Sequence, residues 1–184
     1  MKNLFRYTVL SLLSSVLWFS TGCNLLPEQQ ADPVRHFTLS GPAGAGPLAD
    51  AAVVRPVQLA GHLRSRAMAV RVSENEVIYL EHVRWAEPLD EAITQILRSR
   101  LALIGKGTTV TVRVQRCELV QSEGNTVQLA ATYTVTRPDG AVQTGSFTGA
   151  PLAWTGGDHG ALVGLMRTAV GELAEALATA IGSK

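Results

Sequence analysis

Apolar positions along the chain follow three patterns. Val9 to Phe19 is a nearly continuous run interrupted by Ser11, Ser14 and Ser15. Short alternating stretches come next: Phe37 and Leu39; Val53, Val57 and Leu59; Met68, Val70 and Val72; then Val77 to Leu80 after the turn residues Ser73-Glu74-Asn75. Alternation of this kind marks strands with one buried face, and the last two stretches read as a hairpin. From Glu87 to Ile104 the period changes. Leu89, Ile93, Ile96, Leu97, Leu101 and Ile104 recur at steps of three and four and share one helical face.

The ends of that helix are marked chemically. Pro88 suits a first turn, Glu87, Asp90 and Glu91 complement the positive end of the helix dipole, and Arg98, Arg100 and Lys106 complement the negative end, with Gly105 as a cap. Val110, Val112 and Val114 then alternate, but the apolar parity moves to Cys117 and Leu119, which predicts a bulge near Gln115 or Arg116. Val127, Leu129, Ala131, Tyr133 and Val135 form another strand, and Arg137-Pro138-Asp139-Gly140 turns the chain into a partner strand over Ala141 to Thr148. From Asp158 to Ile181 helical spacing returns through Leu162, Met166, Ala169, Val170, Leu173, Leu177 and Ile181. Two helices with one apolar stripe each, and several half-apolar strands, predict an α/β fold: a mixed, largely antiparallel sheet with both helices on one face, a two-layer sandwich.

The first apolar run is an export signal rather than a core element. Met1-Lys2-Asn3-Leu4-Phe5-Arg6 is basic, Tyr7 to Pro27 carries no charge, and the run is shorter than the roughly 20 residues a spanning helix needs. It ends in Phe19-Ser20-Thr21-Gly22-Cys23, which resembles the lipobox of bacterial lipoproteins, with Cys23 as the lipidated residue. The expected organisation is a signal peptide over 1–22, a lipidated N-terminus and polar tether over 23–33, and one domain over 34–184. Cleavage before Cys23 leaves 162 residues, enough for a proper core, and 14 basic against 15 acidic residues, a balance that points away from nucleic acid. Cys117 then has no intramolecular partner and is expected as a reduced, buried thiol.

No pattern for catalysis or metal binding emerges. Gly44-x-Gly46-x-x-Ala49 matches a relaxed dinucleotide fingerprint, but Pro47 interrupts it and a strand follows where a helix is needed. Gly105-Lys106-Gly107-Thr108 follows a helix instead of opening one, so it reads as a helix stop. His36, His62, His82 and His159 lack the close spacing of a zinc motif. The expectation is no enzyme, no metal and no cofactor.

Val53-Val54-Arg55-Pro56-Val57-Gln58-Leu59, His62-Leu63, Met68-Ala69-Val70-Arg71-Val72 and above all Arg84-Trp85-Ala86-Glu87-Pro88-Leu89-Asp90-Glu91-Ala92-Ile93 resemble the ABC-type transport auxiliary lipoprotein family, the PqiC-like lipoproteins. Arg35-His36-Phe37-Thr38-Leu39 suits that family's first strand. The resemblance implies an accessory lipoprotein of an envelope lipid-transport system, docked with a membrane-bridging MCE-domain protein and its transport complex, and it admits a homo-oligomer. Asn24 after the lipidated cysteine implies the periplasmic face of the outer membrane. Trp85 and Glu87 are the candidate partner-binding residues, with a core aromatic that locks the helix entrance as the favoured alternative for Trp85. The alternative reading is a periplasmic carrier of lipid or another small ligand, which requires an enclosed apolar cavity.

Overall fold

The computed structural model describes residues 33–41 and 51–182. The signal peptide 1–22, Cys23, the tether up to residue 32 and the glycine pattern between Gly44 and Ala49 lie outside the described residues.

One mixed sheet forms the body. Its path runs β1 (Arg35–Phe37), β5 (Glu76–Trp85), β4 (Ala67–Ser73), β6 (Thr109–Val120), β7 (Thr126–Thr136), β8 (Val142–Thr148). Three further strands lie off that path: β2 (Val53–Val54) and β3 (Gln58–Leu59) pair with β6, and β9 (Leu152–Ala153) pairs with β7. The long ladders β4/β5, β6/β7 and β7/β8 are antiparallel, whereas β1/β5, β2/β6, β3/β6 and β4/β6 are short and parallel. The expected mixed, largely antiparallel sheet is therefore present.

Two helices, α1 (Leu89–Arg100) and α2 (His159–Gly182), pack against each other, with α2 along β7 and β8 and α1 beside β2. Their stripes, Leu89, Ala92, Ile93 and Leu97 on α1 and Leu162, Met166, Val170, Leu173 and Leu177 on α2, are buried. Facing them are Val110, Val112, Val114, Cys117 and Leu119 of β6 and Val127, Leu129, Ala131 and Val135 of β7, each almost fully buried. The change of parity between Val114 and Cys117 is produced by a register shift between Val114 and Arg116, at the position the sequence predicts. Without it, Cys117 and Leu119 would lie on the opposite face of the sheet.

β2, β3 and β4 together behave as one broken strand laid parallel along β6. Val53 pairs with Thr109, Gln58 with Arg113, and Val70 with Leu119. Between Leu59 and Ala67 the chain leaves the sheet and makes a short 3₁₀ helix, Gly61–Arg64, whose Leu63 is buried while Gly61 and Arg64 are exposed.

Two expectations are corrected. α1 ends at Arg100 rather than Ile104, because the chain turns at Leu101 (φ −96°, ψ 10°) and Ile104 N–H bonds the Leu101 carbonyl instead of continuing the helical ladder. The Ile104 carbonyl then accepts from Ala52 N–H at 2.9 Å, tying the turn to the start of β2. Pro88 is the N-cap rather than a residue of the first turn, and no side chain caps that end. The dipeptide β9 has no counterpart in the sequence reading.

Candidate functional site

The distinctive segment Arg84 to Ile93 carries the chain from the end of β5 into α1, and three sets of contacts hold that junction. Phe37 lies opposite Trp85 in the β1/β5 ladder, Ala86 N–H donates to the Phe37 carbonyl at 2.9 Å, and Trp85 N–H donates to the Arg66 carbonyl at 2.7 Å. Trp85 itself is 3 % exposed, a core position that locks the approach to the helix.

Glu87 makes the second set. Its carboxylate accepts the Ser40 backbone N–H at 2.9 Å and the Ser40 hydroxyl at 2.7 and 2.6 Å. This charge-assisted latch holds the residues after β1 against the helix entrance, 47 positions away in sequence. Thr94 makes the third. It donates to the Asp90 carbonyl within α1 and accepts Val57 N–H at 3.0 Å, so the link between β2 and β3 is stitched to the first turns of the helix. At the other end of α1, the Arg98 guanidinium bonds the Val54 carbonyl through Nε and Nη2 at 3.2 and 3.1 Å.

A cleft of about 420 Å³ opens where the broken strand parts from the sheet. Val57 to Leu59 form one wall, Arg64 to Arg66 another, and Glu87 to Asp90 the floor at the helix start. The cleft is open and mixed in polarity, with guanidinium and carboxylate groups at its rim. Both sequence candidates bear on it: Glu87 lines it, and Trp85 supports it from the core.

Behind the 3₁₀ helix lies an ion network. Glu118 is fully buried on the sheet face opposite the helices, and its two carboxylate oxygens meet His62 Nε2 at 2.9 Å and Arg71 Nε at 2.6 Å. Tyr79 donates its hydroxyl to the His62 carbonyl at 3.1 Å, and Arg71 also reaches the Glu74 carbonyl at 3.0 Å. A carboxylate without water is tolerated because both oxygens have hydrogen-bonding partners, one of them the Arg71 guanidinium. The excursion that carries His62 thus roofs Glu118, a pairing that alternation in β6 does not reveal.

The other histidines are apart from this network. His36 and His82 are exposed, and His159 packs near Phe37 and Trp154, with ring centroids 6.3 and 5.6 Å away. Among the described residues no three His, Cys, Asp or Glu side chains converge as a metal site, and no helix is long and apolar enough to cross a membrane. Cys117 is a buried free thiol, its pKa pushed up to about 12 by burial and, secondarily, by the charge of Glu118. It is thus the reduced, buried cysteine the sequence predicts.

Residues 37–111 match the family described as ABC-type transport auxiliary lipoprotein component, bearing out the resemblance read from the segment around Trp85. No curated protein matches the chain. Among solved structures, one uncharacterised protein aligns with a TM-score of 0.65 at 16 % identity, over 80 % of this chain and 97 % of its own. A Xanthomonas campestris protein of family DUF330 aligns with a TM-score of 0.61 at 17 % identity, over 80 % of this chain and 91 % of its own. A looser likeness is to the PelC dodecamer of Paraburkholderia phytofirmans, with a TM-score of 0.34 at 14 % identity, over 76 % of this chain and 93 % of that one. The first two similarities concern the fold.

Proposed function

Taking as premise that residues 37–111 carry the ABC-type transport auxiliary lipoprotein component, we propose that this protein is an accessory lipoprotein of an envelope lipid-transport system, a docking component without catalytic activity. It is anchored through lipid on Cys23 to the periplasmic face of the outer membrane, and it engages a membrane-bridging MCE-domain protein and its transport complex.

The observation that carries the reading is the position of the matched segment. It runs from Phe37 through the Ser40–Glu87 latch, the cleft and α1 to Thr111, so the family-specific residues are those that build the surface around the helix entrance. A surface held by cross-links between distant segments is pre-organised, which favours docking because little ordering entropy is lost on binding. Trp85, a core residue, serves that surface by positioning it, and Glu87 serves it both as lining and as latch.

The test is capture of the wild-type protein from its own envelope in mild detergent. Co-purification of an MCE-domain protein, weakened by Glu87→Gln, is the expected result. Recovery of the protein alone, or binding indifferent to Glu87→Gln in a variant that keeps its fold, contradicts the docking role or its location respectively.

A further inference from the structure

Basic residues occupy nearby backbone positions where the described chain enters its first strand. The ladders set His36 of β1 beside Arg84 of β5, and Arg84 beside Ala67 of β4. Arg66 precedes Ala67 and gives its carbonyl to Trp85 N–H, and Arg64 lies two residues earlier on the same cleft wall. Arg35, at the rim, rests its guanidinium 5.0 Å from the Phe37 ring centroid, a contact that uses none of its N–H donors. Arg35, Arg64, Arg66 and Arg84 are all exposed.

These arginines differ from the ones that hold the fold together. Arg71, Arg98 and Arg167 give their donors to Glu118, to the Val54 carbonyl and to the Thr38 and Leu39 carbonyls. Among the described residues Arg64, Arg66 and Arg84 form no ion pair and no side-chain hydrogen bond. Of the carboxylates in the cleft, Glu87 is occupied by Ser40 and Asp90 is half-buried at the start of α1. Glu81, exposed on β5, offsets part of the charge.

We infer that this rim is a membrane-contact surface whose guanidinium groups take the phosphates of anionic phospholipid headgroups. The planar fork of arginine pairs with a phosphate bidentately, so exposed guanidinium groups with free donors along one edge suit a sheet of phosphodiesters. The point at which the tether joins the fold favours a membrane over an acidic protein. On the lipoprotein reading, which this inference rests on, residues 23–33 link the lipid to the fold and span at most about 40 Å fully extended. The side chains that follow them directly are those of Val34, Arg35 and His36. The edge bearing the basic rim is therefore the edge at which the tether joins the fold. Contact there orients the body and leaves the β7/β8 side of the sheet directed away from the lipid.

Flotation of the purified full-length wild-type and Cys23→Ala proteins with phosphatidylglycerol-containing or pure phosphatidylcholine vesicles tests the inference. The wild type is expected to float with both, through its lipid. Cys23→Ala is expected to gain flotation when phosphatidylglycerol is present and to lose that gain in high salt. Adding Arg64→Gln, Arg66→Gln and Arg84→Gln should remove the gain, at about five-fold per arginine, on the order of a hundredfold in partition for the three. Arg100→Gln, at the far end of α1, should leave it in place. A gain that is absent, or that survives the triple substitution, overturns the inference, as does retention on polyglutamate without any response to phosphatidylglycerol. Failure of the lipid anchor shows separately, as a wild type that does not float with phosphatidylcholine.

Discussion

The part of the molecule before β6 and the part from β6 onward are built differently. From Thr109 to Thr148 three strands run in long antiparallel register, interrupted by one bulge, and α2 lies along them with its apolar stripe buried. From Arg35 to Arg100 the strands β1 to β3 are two or three residues long, a 3₁₀ excursion splits what would be a single strand, and polar cross-links join distant positions: Ser40 to Glu87, Val57 to Thr94, Val54 to Arg98. The later part is a scaffold whose stability comes from repeated burial. The earlier part is a surface shaped by individual hydrogen bonds, and it contains nearly all of the family match. Regular ladders leave little freedom to form a cleft, whereas a broken strand makes one wherever it leaves the sheet.

Substitutions should separate the two regimes. The largest effect is expected at Glu118, where scaffold and excursion meet. Glu118→Ala removes a fully buried carboxylate and strands Arg71 and His62, at a cost of about 3–5 kcal/mol in chemical denaturation. Replacing Glu118, His62 and Arg71 together by apolar residues of similar volume should recover most of that loss. If the single and the triple variants are equally unstable, the network is not an isolated electrostatic unit.

Next comes the scaffold itself. Leu129→Ala, in the centre of β7 and 1 % exposed, should cost about 3 kcal/mol through lost burial and the cavity left behind. The whole domain should unfold as one unit, with no change confined to the cleft. Ser40→Ala should behave in the opposite way. It should cost only about 1–2 kcal/mol, because Glu87 is half-buried and water can replace part of the bond, yet amide exchange should accelerate locally at β1 and the start of α1. Uniform acceleration across the sheet would mean that the latch is not local.

The smallest effect near neutral pH belongs to Cys117. Its pKa is raised from 9.0 to about 12 in the folded protein, so the unfolded chain loses the thiol proton first. The stability contribution is complete below pH 9 and declines as pH rises from 9 toward 12, by at most about 1.4 kcal/mol per pH unit. Comparing Cys117→Ala with the wild type across that range should show the slope flattening in the variant. Identical slopes would place the alkaline sensitivity elsewhere.

This division also explains what the sequence makes legible. In β6 and β7 each side chain's face follows from alternation, so the strands, the bulge between Val114 and Cys117, and the turn at Pro138 can be read directly. Helix α1 is legible from its stripe, but its end is not. Leu101 and Ile104 continue the helical spacing, yet the pull of Ala52 N–H on the Ile104 carbonyl and the turn at Leu101 stop the helix at Arg100. β9 escapes detection because two residues carry no period.

The site is legible only in part. Glu87 stands out in sequence as an acidic residue at a helix start, but its partner Ser40 does not, because nothing local links positions 47 apart. Trp85 reads in sequence as a core aromatic at the helix entrance or as a binding residue, and the β1/β5 register, which sets it opposite Phe37, places it in the core. Glu118 looks solvent-facing by alternation until His62 is folded over it.

The central claim is a lipid-anchored docking protein, and the most direct measurement is intact mass with membrane fractionation of the wild type beside Cys23→Ala. The account predicts a mature chain beginning at Cys23 with an added lipid mass, recovered in the outer membrane, and loss of both mass and membrane address in Cys23→Ala. A wild type of unmodified mass, or one fractionating identically to Cys23→Ala, would contradict it.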